Sequence, residues 1–157
     1  MRSITQVEIE HLIYEAKQSP RKRAILRLHE HEEPVQRMIN ALIPGTYITP
    51  HKHERPDKVE LFSILMGKIA VVEFDERGEV INIVRLSTDG KNKIVDIPPR
   101  TYHTLIPLQA SAALEIIQGP YDALTHKKFA PWALPEDNPK AADYLMYLTS
   151  IVDNWRS

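Results

Sequence analysis

The stretch Gly45-Thr-Tyr-Ile-Thr-Pro-His51-Lys-His53, continued by Glu60 and Gly67, decides how this chain is read. Two histidines one residue apart in an extended segment point to the same side, because strand side chains alternate. Glu60 heads a second apolar run, Glu60 to Leu65, which ends in a turn at Met66-Gly67. Far downstream, His103 follows Ile97-Pro-Pro and opens another run. His51, His53, His103 and Glu60 together make a nitrogen and oxygen donor set for one divalent transition metal: iron, manganese, nickel, cobalt or zinc. Thiolate ligands are excluded, because the chain has no cysteine. A shell of this kind leaves coordination positions open, and open positions make a metal reactive. The intervening loop, Glu54-Arg-Pro-Asp-Lys58, keeps Asp57 and Glu54 as alternatives to Glu60 for the fourth ligand.

The surrounding sequence supports a β-rich frame. Glu60 to Leu65, Lys68 to Phe74, Val80 to Leu86, Lys93 to Ile97, His103 to Leu108 and Ala112 to Ile117 are strand candidates. Asp75-Glu-Arg-Gly78 and Ser87-Thr-Asp-Gly90 are among the turns that separate them. Short strands at this spacing argue for an antiparallel sandwich or barrel, with its core at about 44–119. Ahead of it, residues 5–18 read as a helix, with Thr5 and Glu8 spaced as a capping box. Arg23 to His29 reads as a strand. In Pro34 to Leu42, residues Val35, Met38, Ile39 and Leu42 recur with a helical period, which predicts a short helix or turn with a strand as the alternative. Pro131, Pro135 and Pro139 mark an irregular strap, and Pro139 to Trp155 reads as a closing amphipathic helix. The whole, 1–157, is expected to be a single domain.

Composition narrows the function classes. Of the 157 residues, 43% are hydrophobic and 26% charged, as in an ordinary globular protein. The formal net charge of -1 gives no electrostatic basis for nucleic-acid binding. Acidic residues stand where a signal peptide would carry its apolar run, and the best apolar stretch, Leu61 to Phe74, is short and broken by Lys68. No membrane partner is therefore expected. The absence of cysteine fits a reducing, cytoplasmic location.

These motifs resemble the cupin superfamily. Its first motif is matched by Gly45, His51-Lys-His53, Glu60 and Gly67, and its second by Pro98-Pro-Arg100-Thr-Tyr-His103. The chain departs from the pattern in a longer gap between His53 and Glu60, in Arg100 where a glycine is usual, and in Pro107 where an asparagine is usual. More narrowly, Val35-Gln-Arg-Met-Ile-Asn-Ala-Leu, Pro44 through His53, Asp57-Lys-Val-Glu-Leu-Phe, Gly119-Pro-Tyr-Asp and Lys128-Phe-Ala-Pro-Trp-Ala look like the WbuC family of cupin-fold metalloproteins. The resemblance implies a mainly β cupin jelly roll, a bound metal and an association with bacterial polysaccharide metabolism. It implies no particular reaction.

Other residues are candidates by their place in the pattern. If His51 and His53 face inward, alternation turns Tyr47 and Thr49 the same way, and Tyr47 becomes a catalytic candidate. Phe62 and Ile64 share a face with Glu60, and Thr101 and Leu105 with His103. Glu115 interrupts the apolar run Ala112 to Ile117 and is a candidate base beside a metal. Arg21, Arg23, Arg27, Gln36, Arg37 and Asn40 could form a clamp for an anionic or polyhydroxylated ligand, against the alternative of salt bridges to Glu30 through Glu33. His11, His29, His31 and His126 have no evident partner and read as structural. Two function classes follow. One is a metal-dependent enzyme on a carbohydrate or sugar acid, isomerase- or epimerase-like or an oxygenase. The other is a non-catalytic, metal-stabilised saccharide-binding or sensor module. Open sheet edges predict a homodimer.

Overall fold

Alternating apolar residues in ten short segments build two facing sheets, here described from a computed structural model covering residues 1–156. The strands are β1 (Arg23–Arg27), β2 (Val35–Leu42), β3 (His51–Lys52), β4 (Glu60–Met66), β5 (Lys68–Phe74), β6 (Val80–Ser87), β7 (Ile94–Ile97), β8 (Tyr102–Pro107), β9 (Ser111–Gln118) and β10 (Lys128–Phe129). One sheet has the order β1-β2-β9-β4-β7 and the other β10-β3-β8-β5-β6, and every pairing is antiparallel. The β4–β5 turn depends on Gly67, at φ +78°, where an added Cβ would lie 2.4 Å from the Ala110 carbonyl oxygen.

Helices close the outer faces. Helix α1 (Gln6–Gln18) starts at Thr5, whose side chain and that of Glu8 form the expected capping box. Its Ile9, Leu12, Ile13 and Ala16 pack on Ile39, Ala41 and Ala112, the outward residues of the first sheet. Helix α2 (Ala141–Asn154) lays Leu148 and Val152 on Ala70, Val72 and Ile106 of the second sheet. Its apolar face is thus spent on its own barrel. Between the sheets, Leu42, Phe62, Ile64, Ile69, Val71, Leu86 and Leu105 form a third, inner core. Each sheet is therefore covered on both sides over much of its area.

The sheets use more chain than the 44–119 core read from sequence, since β1, β2 and β10 lie outside that span. Residues 35–42 are a strand and not the short helix or turn predicted by their apolar period. The reason is visible in β2: Ile39 and Ala41 face α1, while Gln36, Met38, Asn40 and Leu42 face inward. With both faces buried and polar residues inside, the two-residue alternation is hidden. No helix among the described residues is long and apolar enough to cross a membrane.

Candidate metal centre

The inter-sheet space holds an apolar core at one end and a polar cluster at the other. His51 lies on β3, His53 directly follows it, and His103 lies on β8, paired with His51 in register. Glu60 opens β4 in the opposite sheet. The site therefore bridges the two sheets. One ligand atom from each of the four residues falls within 4.8 Å of the others, and all four residues are buried. Donor atoms sharing one ion at about 2.1 Å lie roughly 3–4 Å apart, so a small inward shift closes the shell.

The hydrogen bonds fix which ring nitrogens face inward. Nδ1 of His51 lies 2.9 Å from the Thr49 carbonyl oxygen, Nδ1 of His103 lies 2.9 Å from that of Thr101, and Nδ1 of His53 lies 2.5 Å from that of His126. A carbonyl only accepts, so each Nδ1 carries the proton and each Nε2 presents a lone pair. Nε2 of His53 and of His103 stand 3.3 and 2.8 Å from Oε2 of Glu60. Acceptor thus faces acceptor, and these three atoms are buried without a hydrogen-bond partner among the described residues. Their convergence fits a cation and little else. Burial also holds the His51 imidazole well below its usual pKa, so it is neutral and free to coordinate. Burial pushes the Glu60 carboxyl up, and only a positive charge shared with His103 and His53, a proton on their rings or a cation between them, holds it well below the usual range.

Glu54 and Asp57 stand apart from this cluster. Asp57 pairs with Arg100 at 2.9 Å, and Glu54 lies between Lys52 and Lys128. Arg100 itself sits at φ +66°, the left-handed conformation that glycine adopts without strain.

A cavity of about 370 Å³ opens above the ligands His51 and Glu60. Glu115, on β9, faces into it, and Oε2 of Glu115 accepts a 2.6 Å hydrogen bond from Nδ2 of Asn40 on β2. Burial and then the neighbouring Glu60 push the Glu115 carboxyl up to about 8. Arg21, Arg23, Arg27 and Gln36 also line the cavity. The Gln36 amide is occupied, donating to the carbonyl oxygens of Glu33 and His31 at 2.8 and 3.1 Å. Arg37 points the other way along β2 and pairs with Glu33, the competing salt-bridge reading of that residue.

Tyr47 is not brought to the cavity. Residues 46–50 are not a strand, and the alternation breaks at Pro50: Ile48 lines the cavity, whereas Tyr47 and Thr49 turn to the strap. Their hydroxyls donate to the Leu134 carbonyl oxygen at 2.7 and 3.3 Å. Burial, with Tyr144 nearby, raises the Tyr47 phenol further above its usual value.

Sequence reasoning missed four wall residues. His29, His31, His126 and Lys127 all line the cavity. The rings of His53, His126, Tyr121 and His31 follow one another at centroid distances of 5.1, 4.8 and 4.8 Å. Burial, then His53 and Lys127, lower the His126 imidazole to about 3, so it stays neutral. A signal in the sequence was the density of imidazole and aromatic groups at His29 and His31 and around Tyr121 and His126.

Comparison with known proteins now places the chain. Residues 4–86, more than half its length, match the family described as "Domain of unknown function (DUF6016)". The chain belongs to this family. No curated protein matches it significantly. Among solved structures, it is similar to the capsular polysaccharide assembling protein CapF from Staphylococcus aureus, with 22% identity, a TM-score of 0.55, and coverage of 67% of this chain and 31% of CapF. CapF with the inhibitor 3-isopropenyl-tropolone gives 20% identity, a TM-score of 0.54, and coverage of 68% and 34%. The chain thus spans about a third of the CapF chains. An RmlC-like cupin protein from Desulfovibrio desulfuricans aligns over 75% of this chain and 96% of its own, with 16% identity and a TM-score of 0.54. The fold of this DUF6016 chain is a cupin β-sandwich, and its buried histidine and glutamate cluster fits a metal site in that fold.

Proposed function

We propose that this chain is a metal-dependent enzyme acting on a small anionic or polyhydroxylated metabolite, a carbohydrate or sugar acid of bacterial polysaccharide metabolism, by moving a proton as isomerases and epimerases do. The observation that carries this reading is Glu115: a carboxyl beside the ligand set but outside it, aimed into the cavity and held by Asn40. His51, His53, His103 and Glu60 would hold a divalent metal, which when bound supplies Lewis acidity and a template for adjacent oxygens. Everything else belongs to the chain's own groups. In the metal-free chain burial and Glu60 push the Glu115 carboxyl up to about 8, so it can hold and deliver a proton, and its conjugate base can take one back from a carbon next to a carbonyl. Asn40 keeps that carboxyl turned into the cavity. The aromatic wall of Tyr121, His31 and His126 covers one side of the bound molecule. The sequence strings that resemble the WbuC family and the capsular polysaccharide role in the name of CapF support a carbohydrate, while the lack of cysteine supports the cytoplasm.

The test has two stages. Metal content is measured on purified protein, and sugar acids, sugar phosphates and nucleotide sugars are then screened by thermal shift, since a ligand of the native state raises Tm. Any ligand found is incubated with the protein in heavy water. Deuterium entering a carbon-bound position, and its loss in Glu115→Gln with binding retained, supports the proton-transfer reading. Oxygen uptake without exchange would make the chain an oxygenase. Binding with neither would leave the saccharide sensor.

We also propose a homodimer. β1, β7, β10 and β6 are edge strands, and pairing across a two-fold axis would cover exposed backbone groups. A monomer mass by light scattering at micromolar concentration refutes it.

A further inference from the structure

One carboxylate at the cavity wall is gripped by two guanidinium groups. Nη2 of Arg23 donates to both carboxylate oxygens of Glu136 at 2.7 Å, and Nε and Nη2 of Arg21 donate to Oε2 at 3.1 and 2.8 Å. Arg23 is held in place from behind, since its Nη1 donates to the Tyr47 carbonyl oxygen at 2.9 Å and its side chain is only 13% exposed. Two positive charges on one negative charge leave a surplus of one positive charge. Arg27, on the same face of β1, and Lys127, on the strap, line the same cavity and add to that surplus. Glu136 reaches the arginines from the irregular strap, and its side chain is 32% exposed.

We propose that Arg21 and Arg23 are a carboxylate-binding subsite of the cavity and that Glu136 is its resident, displaceable occupant. The inference deepens the reading of this cavity as a small-molecule site and rests on it. It also names the ligand class: a polyhydroxylated molecule carrying a carboxylate. The planar fork of a guanidinium matches a carboxylate, and Glu136 shows that such a group fits between these two. Displacement needs little rearrangement. The strap backbone is pinned next to Glu136 by Tyr47 and Thr49 on the Leu134 carbonyl oxygen, and by the bond from the Asn138 amide to the Pro135 carbonyl oxygen at 3.1 Å. Glu136 can therefore leave by rotating its own side chain. As a tethered group it competes at an effective concentration on the order of millimolar. Ligands bind only when they outcompete it, and the exchange frees the mouth of the cavity.

Titration calorimetry with glucuronate tests this, with glucose as the matched neutral probe. The parent protein binds glucuronate and not glucose. Glu136→Ala removes the internal competitor and tightens glucuronate binding by about tenfold. Arg21→Gln weakens it by about tenfold when made in the Glu136→Ala background, where no internal carboxylate shares the loss. Arg21 suits the test because its side chain is 64% exposed and its donors go to Glu136, so the ligand-free Tm should stay near that of the parent. Equal binding of glucose, unchanged affinity in Glu136→Ala, or unchanged affinity when Arg21→Gln is added to Glu136→Ala overturns the proposal. The titrations are repeated after metal removal. The arginine effects persist there whether or not the metal-centre proposal holds, which keeps the two failures apart.

Discussion

The two ends of the space between the sheets are built by the same strands and differ in nearly everything else. β4 puts Glu60 at one end and Ile64 at the other; β8 puts His103 in the candidate ligand set and Leu105 two residues on. β9 places Glu115 in the cavity and Ala113 in the apolar core, and β2 sets Asn40 in the cavity and Leu42 where the cavity meets that core. A step of two residues, about 7 Å along a strand, crosses from one regime to the other. At the apolar end, burial stabilises the chain directly. At the polar end, lone pairs face one another and burial pushes a carboxyl up, arrangements that favour chemistry over stability. The difference teaches that the scaffold can hold its shape while the polar end changes.

The largest effect expected from that contrast is on metal content. His51→Ala with His53→Ala removes two of the four donors and should take bound metal from one equivalent to nearly none, measured by plasma emission on purified protein. Far-ultraviolet circular dichroism should stay that of the parent. The mirror experiment is Leu86→Ala at the apolar end, where Leu86 is fully buried. It should cost about 2–5 kcal/mol in urea unfolding and leave metal stoichiometry unchanged. Loss of metal in the leucine variant, or retention in the histidine variant, would mean that the two ends are not separable.

The polar end was the more legible of the two from sequence. His51-Lys-His53 and Glu60 carry their spacing openly, because ligands on strands must keep the two-residue step and the turn at Gly67 sets the strand's end. β2 was obscured because its inward face carries Gln36 and Asn40, so its pattern is not an apolar alternation. Tyr47 was assigned inward by carrying the alternation back through Pro50, where the chain is no longer a strand. His126, Lys127 and Glu136 lie on a strap without regular hydrogen-bonding, where no period exists to say which side chains turn toward the cavity. Arg21 and Arg23 were visible as a basic cluster, but their partner Glu136 lies more than a hundred residues on, at separations of 115 and 113.

A sharper test of the polar end uses Glu60→Gln. In the metal-free parent, Oε2 of Glu60 faces two Nε2 lone pairs with no donor between them. A glutamine amide can donate to one of them. Without metal, the variant should therefore be more stable than the metal-free parent, by about 1–3 kcal/mol for relief of an unsatisfied buried group. With metal, the order should reverse, since the variant has lost its anionic ligand. Urea unfolding of both proteins, with and without bound metal, reads the crossover. Parallel curves would mean that the four residues do not act as one cation site.

The smallest effect expected separates Asn40 from its neighbour Leu42 on the same face of β2. Leu42→Ala opens a void where the inner core meets the cavity wall, and should lower stability while slowing exchange less than Asn40→Ala at fixed folded fraction. Asn40→Ala removes the side-chain donor seen on Oε2 of Glu115 among the described residues, at a cost of about 0.5–1.5 kcal/mol for a single hydrogen bond. Its larger consequence should be kinetic. Asn40 lines the cavity and aims the Glu115 carboxyl, so it acts as a positioning residue for proton transfer. Losing it leaves the carboxyl free to rotate, which lowers the fraction of time spent in a reactive orientation. Deuterium exchange on a bound sugar acid should slow by roughly tenfold in kcat with KM nearly unchanged, because the arginines and the metal ligands are untouched. Asn40→Asp should not restore the rate, since a carboxylate at position 40 would accept the Glu115 proton and hold it away from substrate. An exchange rate that falls equally in Leu42→Ala would assign the loss to packing and remove Asn40 from the site.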